Sequence, residues 1–267
     1  MEVESAGDRF ERYVVEAALG HGGYATVYRA HDAARPDLAV ALKILDDHHR
    51  KPAQIAQLQR EFEFAHQLDH PHIIKVYEHG PDWLAMELVD GGTVSKLKGL
   101  TDRLAALAQI AGALDYAHQL GIVHCDVKPS NILVSLPFPI HGAVLIDFGV
   151  AHAVAEDVGR KPAHIEASLP YSAPELLYGH APSAANDEYA LACTVFELIT
   201  GSPPFTANTS MGLVDEHLHS PPPKLSRKID WVSHAFDSIM SKALAKTPDN
   251  RYESCAELIA LITRALQ

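Results

Sequence analysis

The chain is short of cysteine, of aromatic residues, of positive charge and of long apolar runs, and most of these shortages exclude something. Only three cysteines occur in 267 residues, Cys125, Cys193 and Cys255, far apart and odd in number. They suit neither a disulfide framework nor a zinc site, so a reducing, cytoplasmic compartment is expected. Lys and Arg total 22 against 34 Asp and Glu, a net charge of −12. Gripping nucleic acid through its phosphates needs basic patches, so no nucleic-acid partner is expected. No uncharged apolar run approaches the roughly 18 residues that span a bilayer, so no membrane contact is expected from the chain itself. The start, Met1-Glu2-Val3-Glu4, is acidic and unlike a signal peptide. Aromatic residues make up 7%, but a hydrophobic content of 47% can fill a core. The length suits one large domain or two lobes around a cleft.

Histidine is plentiful, at 17 residues. The pairs His48-His49 and His70-Pro71-His72 have no cysteine at ligand spacing and are read as solvated loop residues.

Pattern along the chain divides it in two. Tyr13 to Val89 reads mostly as strands, with Leu38–Leu45, Ile73–Tyr77 and Trp83–Leu88 among them. One helix interrupts, from about Pro52 to Leu68, with Ile55, Leu58, Phe62, Ala65 and Leu68 on one face. Val89-Asp90-Gly91-Gly92 breaks the strand character and is a candidate hinge. Beyond it the spacing predicts helices over Leu104–Leu120, Asp187–Thr200, Phe236–Ala245 and Cys255–Leu266, with Gly121 and Gly201 as stops. Short strands are expected at Ile132–Ser135 and Ala143–Ile146, joined by a protruding loop that carries Pro137 and Pro139.

The chemistry lies in ordered motifs. Gly20-His21-Gly22-Gly23-Tyr24-Ala25-Thr26-Val27 is a glycine-rich turn between strands, whose backbone amides could close over phosphates. Val40-Ala41-Leu42-Lys43 follows, and a charge in mid-strand must be exposed or paired. His124-Cys125-Asp126-Val127-Lys128-Pro129-Ser130-Asn131 gathers a carboxylate, an ammonium and an amide in one loop. Asp147-Phe148-Gly149 and Ala173-Pro174-Glu175 come after it.

This series, H-x-D-x-K-x-x-N with D-F-G, a G-x-G-x-x-G-x-V loop, a V-A-I-K strand and A-P-E, resembles the protein-kinase family over nearly the whole chain. Within that family it looks like bacterial eukaryotic-like serine/threonine kinases of the actinobacterial receptor-like group. The resemblance implies an α+β, bilobal fold in a single kinase domain (1–267), with a strand-rich first lobe (10–88), a hinge (89–92) and a helical second lobe (93–267). It implies ATP with Mg²⁺, or Mn²⁺ in its place, and transfer of the γ-phosphate to protein Ser and Thr hydroxyls. By resemblance Asp126 is the catalytic base, Lys128 neutralises the γ-phosphate, and Asn131 and Asp147 hold metal. Lys43 contacts phosphates and pairs with a glutamate, Glu61 before Glu63, which lies about 200° away round the helix. Gly20, Gly22 and Gly23 cover the phosphates. Val27, Ala41, Met86 and Leu133 enclose the adenine, and backbone groups of Glu87 and Val89 meet its edge. Ser168 could bond Asp126 and Lys128, Glu175 would pair with Arg251, and Asp187 is a buried structural residue.

The departures are specific. Cys125 stands where relatives carry an arginine that grips an activation-loop phosphate, and the second basic place falls to His152. Val150 to Ala167 contains no Ser, Thr or Tyr. Activity independent of activation-loop phosphorylation is therefore expected. His124 could lower the Cys125 thiol pKa and make it redox-active, against a plain role as filler. Ala65 is small for its place, which predicts a loosely held helix. Two other classes stay open: a nucleotide-binding pseudokinase scaffold, and a small-molecule phosphotransferase. A membrane-anchored receptor kinase of which this is the cytoplasmic domain, and a homodimer, also stay open.

Overall fold

The structure is a computed structural model and describes residues 7–140, 142–153 and 166–267. It begins with β1 (Arg9–Phe10), β2 (Tyr13–His21), β3 (Ala25–Asp32) and β4 (Arg35–Leu45), then α1 (Pro52–Gln67), β5 (Val76–His79) and β6 (Trp83–Glu87). These strands form one antiparallel sheet in the order β1-β2-β3-β4-β6-β5. Successive side chains on a strand point to opposite faces, and β4 uses both. Val40, Leu42 and Ile44 pack with Phe10, Tyr13, Val15 and Trp83. Ala41 and Leu45 turn the other way, toward Leu58, Ala65 and Met86. Lys43 shares their parity and so faces α1.

α1 opens with Pro52 in its first turn, where a missing N–H costs nothing. Its buried residues are Leu58, Glu61, Phe64 and Ala65; Ile55 and Phe62 of the expected face pack against the same cluster as Leu58 and Ala65, and Phe64 is an addition to it. Phe62 is half-buried against His66 and His79, with ring centroids 5.2 and 4.0 Å away. The helix is covered on two sides, so no single apolar stripe describes it: Leu58 and Ala65 join the cluster under the sheet, whereas Phe64 joins the core of the second lobe.

The second lobe contains α2 (Leu100–Gln119), β7 (Ile122–Val123), β8 (Ile132–Val134), β9 (Ala143–Leu145), β10 (His152–Ala153), α3 (Pro174–Leu177), α4 (Ala184–Thr200), α5 (Ser210–His219), α6 (His234–Ala243) and α7 (Cys255–Leu266). α2 begins one turn before its first periodic residue and buries four alanines beside Leu104, Leu107, Ile110 and Leu114. These small residues let α4 and α7 pack closely on it. α4 also starts a turn early, because Ser183 and Asn186 form a capping box, and it ends at Gly201 with φ +84°. β7 pairs with β10 and β8 with β9, which brings the catalytic-loop motif and the D-F-G turn together. Leu136 and Ile140 are exposed on the loop between β8 and β9, so it does protrude. Of the acidic start, residues 1–6 lie outside the described residues, as do 154–165 of the hydroxyl-free segment.

Candidate active site

Two sets of polar residues face one another across the cleft. The first is centred on Lys43. Its Nζ is 2.6 Å from Oε2 of Glu61 and 3.7 Å from Oδ1 of Asp147, and the lysine is only 9% exposed. Glu63 is exposed and has no part in the pair. Burial alone would lower the Lys43 pKa, but Asp147, Glu61 and Tyr24 outweigh it and keep the ammonium charged. Asp147 is pushed up by burial yet ends below the ordinary carboxylate range, because Lys43, His124, Lys128 and the Gly149 N–H favour its anion. Burial pushes Glu61 up to about 7, with the Asp147 charge adding to it and Lys43 opposing it.

The second set is centred on Asp126. Lys128 Nζ donates to both its oxygens, at 3.0 and 2.8 Å, and to Ser168 Oγ at 3.0 Å. Ser168 donates in turn to Oδ1 of Asp126. Asn131 gives its Nδ2 protons to the Asp126 carbonyl and to Oδ2, at 2.8 and 2.9 Å. The amide oxygen of Asn131 is therefore its remaining donor to a cation. That oxygen and the Asp147 carboxylate are hard ligands of the kind Mg²⁺ takes, so the residues fit such an ion.

Asp187, fully buried, holds the Asp126 loop from below. Its Oδ2 accepts the His124 N–H and its Oδ1 the Cys125 N–H, both at 2.8 Å. Cys125 and Asp147 both adopt positive φ, +67° and +68°. These bonds are what hold an ordinary side chain in that region at Cys125. Of the two readings of Cys125, the lowered thiol pKa fails and the filler stands. Burial, then Asp187 and Asp126, push the thiol well up. His124 accepts the Asp126 N–H on Nδ1 and gives Nε2–H to the Ile146 carbonyl, so neither nitrogen serves the thiol.

The apolar half of the cleft lies between the sheet and β8. Ala41, Met86 and Val89 belong to one buried cluster, against which Val27 and Leu133 pack. The Glu87 N–H is bonded to the Lys75 carbonyl at 2.8 Å, so the group it could offer a ligand is its carbonyl. Above them lies the β2–β3 turn. A Cβ on Gly20 or Gly23 would meet nothing within 4 Å, and neither has a positive φ. No crowding within the chain requires glycine at either place.

Sequence reasoning missed two residues here. Tyr24 bends inward from the glycine turn, with Lys43 Nζ 5.8 Å from its ring centroid, and its hydroxyl accepts a bond from Gln57 Nε2 at 2.8 Å. Gln57 lies one helical turn before Glu61, and that spacing was the available signal. The expected looseness at Ala65 also meets a counterweight, since Phe64 beside it reaches the cluster that contains Phe148. Lower down, Arg251 donates to both oxygens of Glu175 at 2.7 Å, in a buried pair.

Comparison with known proteins agrees with this geometry. The protein kinase domain family matches residues 13–260. The chain is 38% identical to the serine/threonine-protein kinase PknJ of Mycobacterium tuberculosis, covering 98% of this chain and 46% of that protein. It is 33% identical to the serine/threonine-protein kinase PknB of Mycobacterium leprae, over 95% of this chain and 43% of that one. The chain thus spans about half the length of the curated relatives it matches. The crystal structure of the Mycobacterium tuberculosis PknI kinase domain superposes with a TM-score of 0.73 at 31% identity, over 99% of this chain and 100% of that one. The chain belongs to the protein kinase family.

Proposed function

We propose that the chain is an ATP-dependent serine/threonine protein kinase that transfers the γ-phosphate to Ser and Thr hydroxyls of protein substrates. What carries the reading is the pairing of two clusters across one cleft: Glu61–Lys43–Asp147 on one side, Asp126–Lys128–Ser168 on the other. On this reading Lys43 holds the phosphates, and Glu61 fixes Lys43. Asp126 orients the substrate hydroxyl and takes its proton. Lys128 offsets charge on the moving phosphoryl group. Asn131 and Asp147 hold Mg²⁺, with Mn²⁺ as a substitute; the ion shields the phosphate charge when bound. Gly20, Gly22 and Gly23 leave room for phosphates under the turn. Val27, Ala41, Met86, Val89 and Leu133 enclose the adenine, with the Glu87 carbonyl and the Val89 backbone at its edge. Residues 10–88 and 93–267 act as the two lobes about a hinge at 89–92.

A protein substrate is favoured over a small molecule by the presence of the A-P-E segment and by Ser168, which bonds Asp126 and Lys128. Turnover without activation-loop phosphorylation follows from Cys125 in place of an arginine. ATP places the site in the cytoplasm, including the case of a domain in a longer membrane-anchored receptor. Among the described residues no helix is long and apolar enough to cross a membrane. The test is incubation with γ-labelled ATP, Mg²⁺ and a generic basic protein, followed by phosphoamino-acid analysis. Labelled phosphoserine or phosphothreonine is expected; phosphotyrosine alone, or no protein-bound label, would contradict the reading.

A further inference from the structure

Away from the cleft, the fold brings together three donors of different chemistry: Asp115 and His118 on α2, and Cys255 at the start of α7. One ligand atom from each lies within 4.8 Å of the other two. Asp115 and His118 are three residues apart and so share a helix face. Asp115 accepts the N–H groups of Cys255 and Ala256, both at 2.9 Å, which ties α7 to α2. That role accounts for a carboxylate at 115. The Cys255 thiol also has Asp115 as its hydrogen-bond partner.

The imidazole is oriented from behind. His118 Nε2 is 2.7 Å from Oδ2 of Asp187, a fully buried carboxylate. A ring held by a carboxylate through one nitrogen presents the other to its surroundings, which is how metal-ligating histidines are commonly fixed. Cys255 is 1% exposed, at the first turn of α7. Asp115 is half-buried, and the His118 side chain keeps 11% of its surface exposed.

We propose that Asp115, His118 and Cys255 form a site for a borderline-soft divalent cation of the zinc type. An Asp115 oxygen, His118 Nδ1 and Cys255 Sγ would be the protein ligands, with water completing four-coordination. The sulfur and nitrogen select such an ion over Mg²⁺, which prefers oxygen. On binding, the S–H bond breaks, the metal–sulfur bond forms and the thiol proton leaves to solvent; the Nε2–H stays with Asp187. Asp187 also carries the backbone of His124 and Cys125, so the site shares a support with the loop that bears Asp126.

Co²⁺ is the probe, titrated into the whole chain in excess Mg²⁺ under reducing conditions. One Co²⁺ per chain is expected, with a sulfur-to-cobalt charge-transfer band in the near ultraviolet and visible bands of a four-coordinate ion. Zn²⁺ should displace it and raise Tm. Cys255→Ser should abolish the charge-transfer band, and Asp115→Asn should weaken binding at least tenfold. Because position 255 is buried, His118→Leu, at a side chain that is 11% exposed, is a second variant that must also lose the bands. Cys125→Ser should keep them. No charge-transfer band in the unaltered chain, its survival in folded Cys255→Ser or His118→Leu, or its loss in Cys125→Ser would overturn the proposal.

Discussion

Lys43 Nζ lies 2.6 Å from Oε2 of Glu61, so a buried ion pair joins the central strand of the sheet to α1. The same ammonium reaches Asp147 at 3.7 Å. One cation therefore links the sheet, the helix and the D-F-G turn. Replacing Glu61 with Gln should lower kcat by roughly 100-fold, the low end for losing one fixed electrostatic contact, with smaller effect on KM. Glu63→Gln, at an exposed position, should leave both unchanged. Steady-state kinetics on the two variants checks this. Equal losses in both would show that the pair does not position Lys43.

Ser168 touches both Asp126 and Lys128. Ser168→Ala removes one partner from each and should reduce kcat about tenfold, the cost of one hydrogen bond to charged groups. Ser168→Thr keeps the hydroxyl and should restore most of the rate. If alanine and threonine behave alike, the hydroxyl is not what matters at 168.

How much of this was legible in the sequence depends on range. The alternation in β4 was readable at Lys43, because Leu42 and Ile44 on either side declared the opposite face. Glu61 was placed by the family resemblance, with Glu63 turned away round the helix, and α7 was delimited residue for residue by its apolar period. The starts of α2 and α4 were missed: no side-chain cap marks the start of α2 at Gly99, and the α4 boundary is set by the Ser183–Asn186 capping box, not by periodicity. α5 was not foreseen: Gly212 interrupts its first turn, and the Thr209 cap that starts it is a single residue. Phe64 was overlooked because α1 packs on two clusters, which a one-face reading cannot express. The contact between Cys255 and Asp115 spans 140 positions, and only the fold brings them together.

Glu175 and Arg251 form a bidentate pair, and Asn186 also donates to Glu175 at 2.6 Å. Removing one partner leaves a buried charge uncompensated. Arg251→Met should cost about 3–5 kcal/mol and lower Tm by several degrees. Adding Glu175→Gln to it should recover part of the loss. Thermal or denaturant unfolding of both variants is the check, and a double variant less stable than the single one would contradict a pairing role.

His217 is fully buried, with Tyr189 Oη 2.9 Å from its Nδ1. Burial, helped by Lys246, lowers its pKa to about 4. The unfolded chain, titrating near 6.5, then binds the proton that the folded chain refuses. Stability from this group is complete above about pH 6.5 and is lost as pH falls toward 4, on the order of 3 kcal/mol in all. His217→Gln keeps polar atoms but does not titrate, so its stability should fall less steeply across that window. Glu188, raised by burial to about 7, acts in the opposite sense but is common to both proteins. Parallel pH profiles for the two would contradict the assignment.

Treatment with a broad phosphatase should leave initial turnover unchanged, because no hydroxyl lies between Val150 and Ala167 and Cys125 offers no grip on a phosphate. Loss of turnover after such treatment, regained on rephosphorylation at Ser168 or Ser172, would overturn this expectation.

The most direct test of the whole account is the rate of γ-phosphate transfer from labelled ATP with Mg²⁺, for the unaltered chain, Asp126→Asn and Lys43→Met, alongside calorimetric ATP binding. Asp126→Asn should lose roughly 10²–10⁴-fold in rate while still binding ATP, since the amide cannot take the proton. Lys43→Met should lose the rate as well. Transfer that persists in Asp126→Asn at the unaltered rate, or an unaltered chain that binds ATP and transfers nothing, would contradict the assignment of this cleft as a working phosphotransferase site.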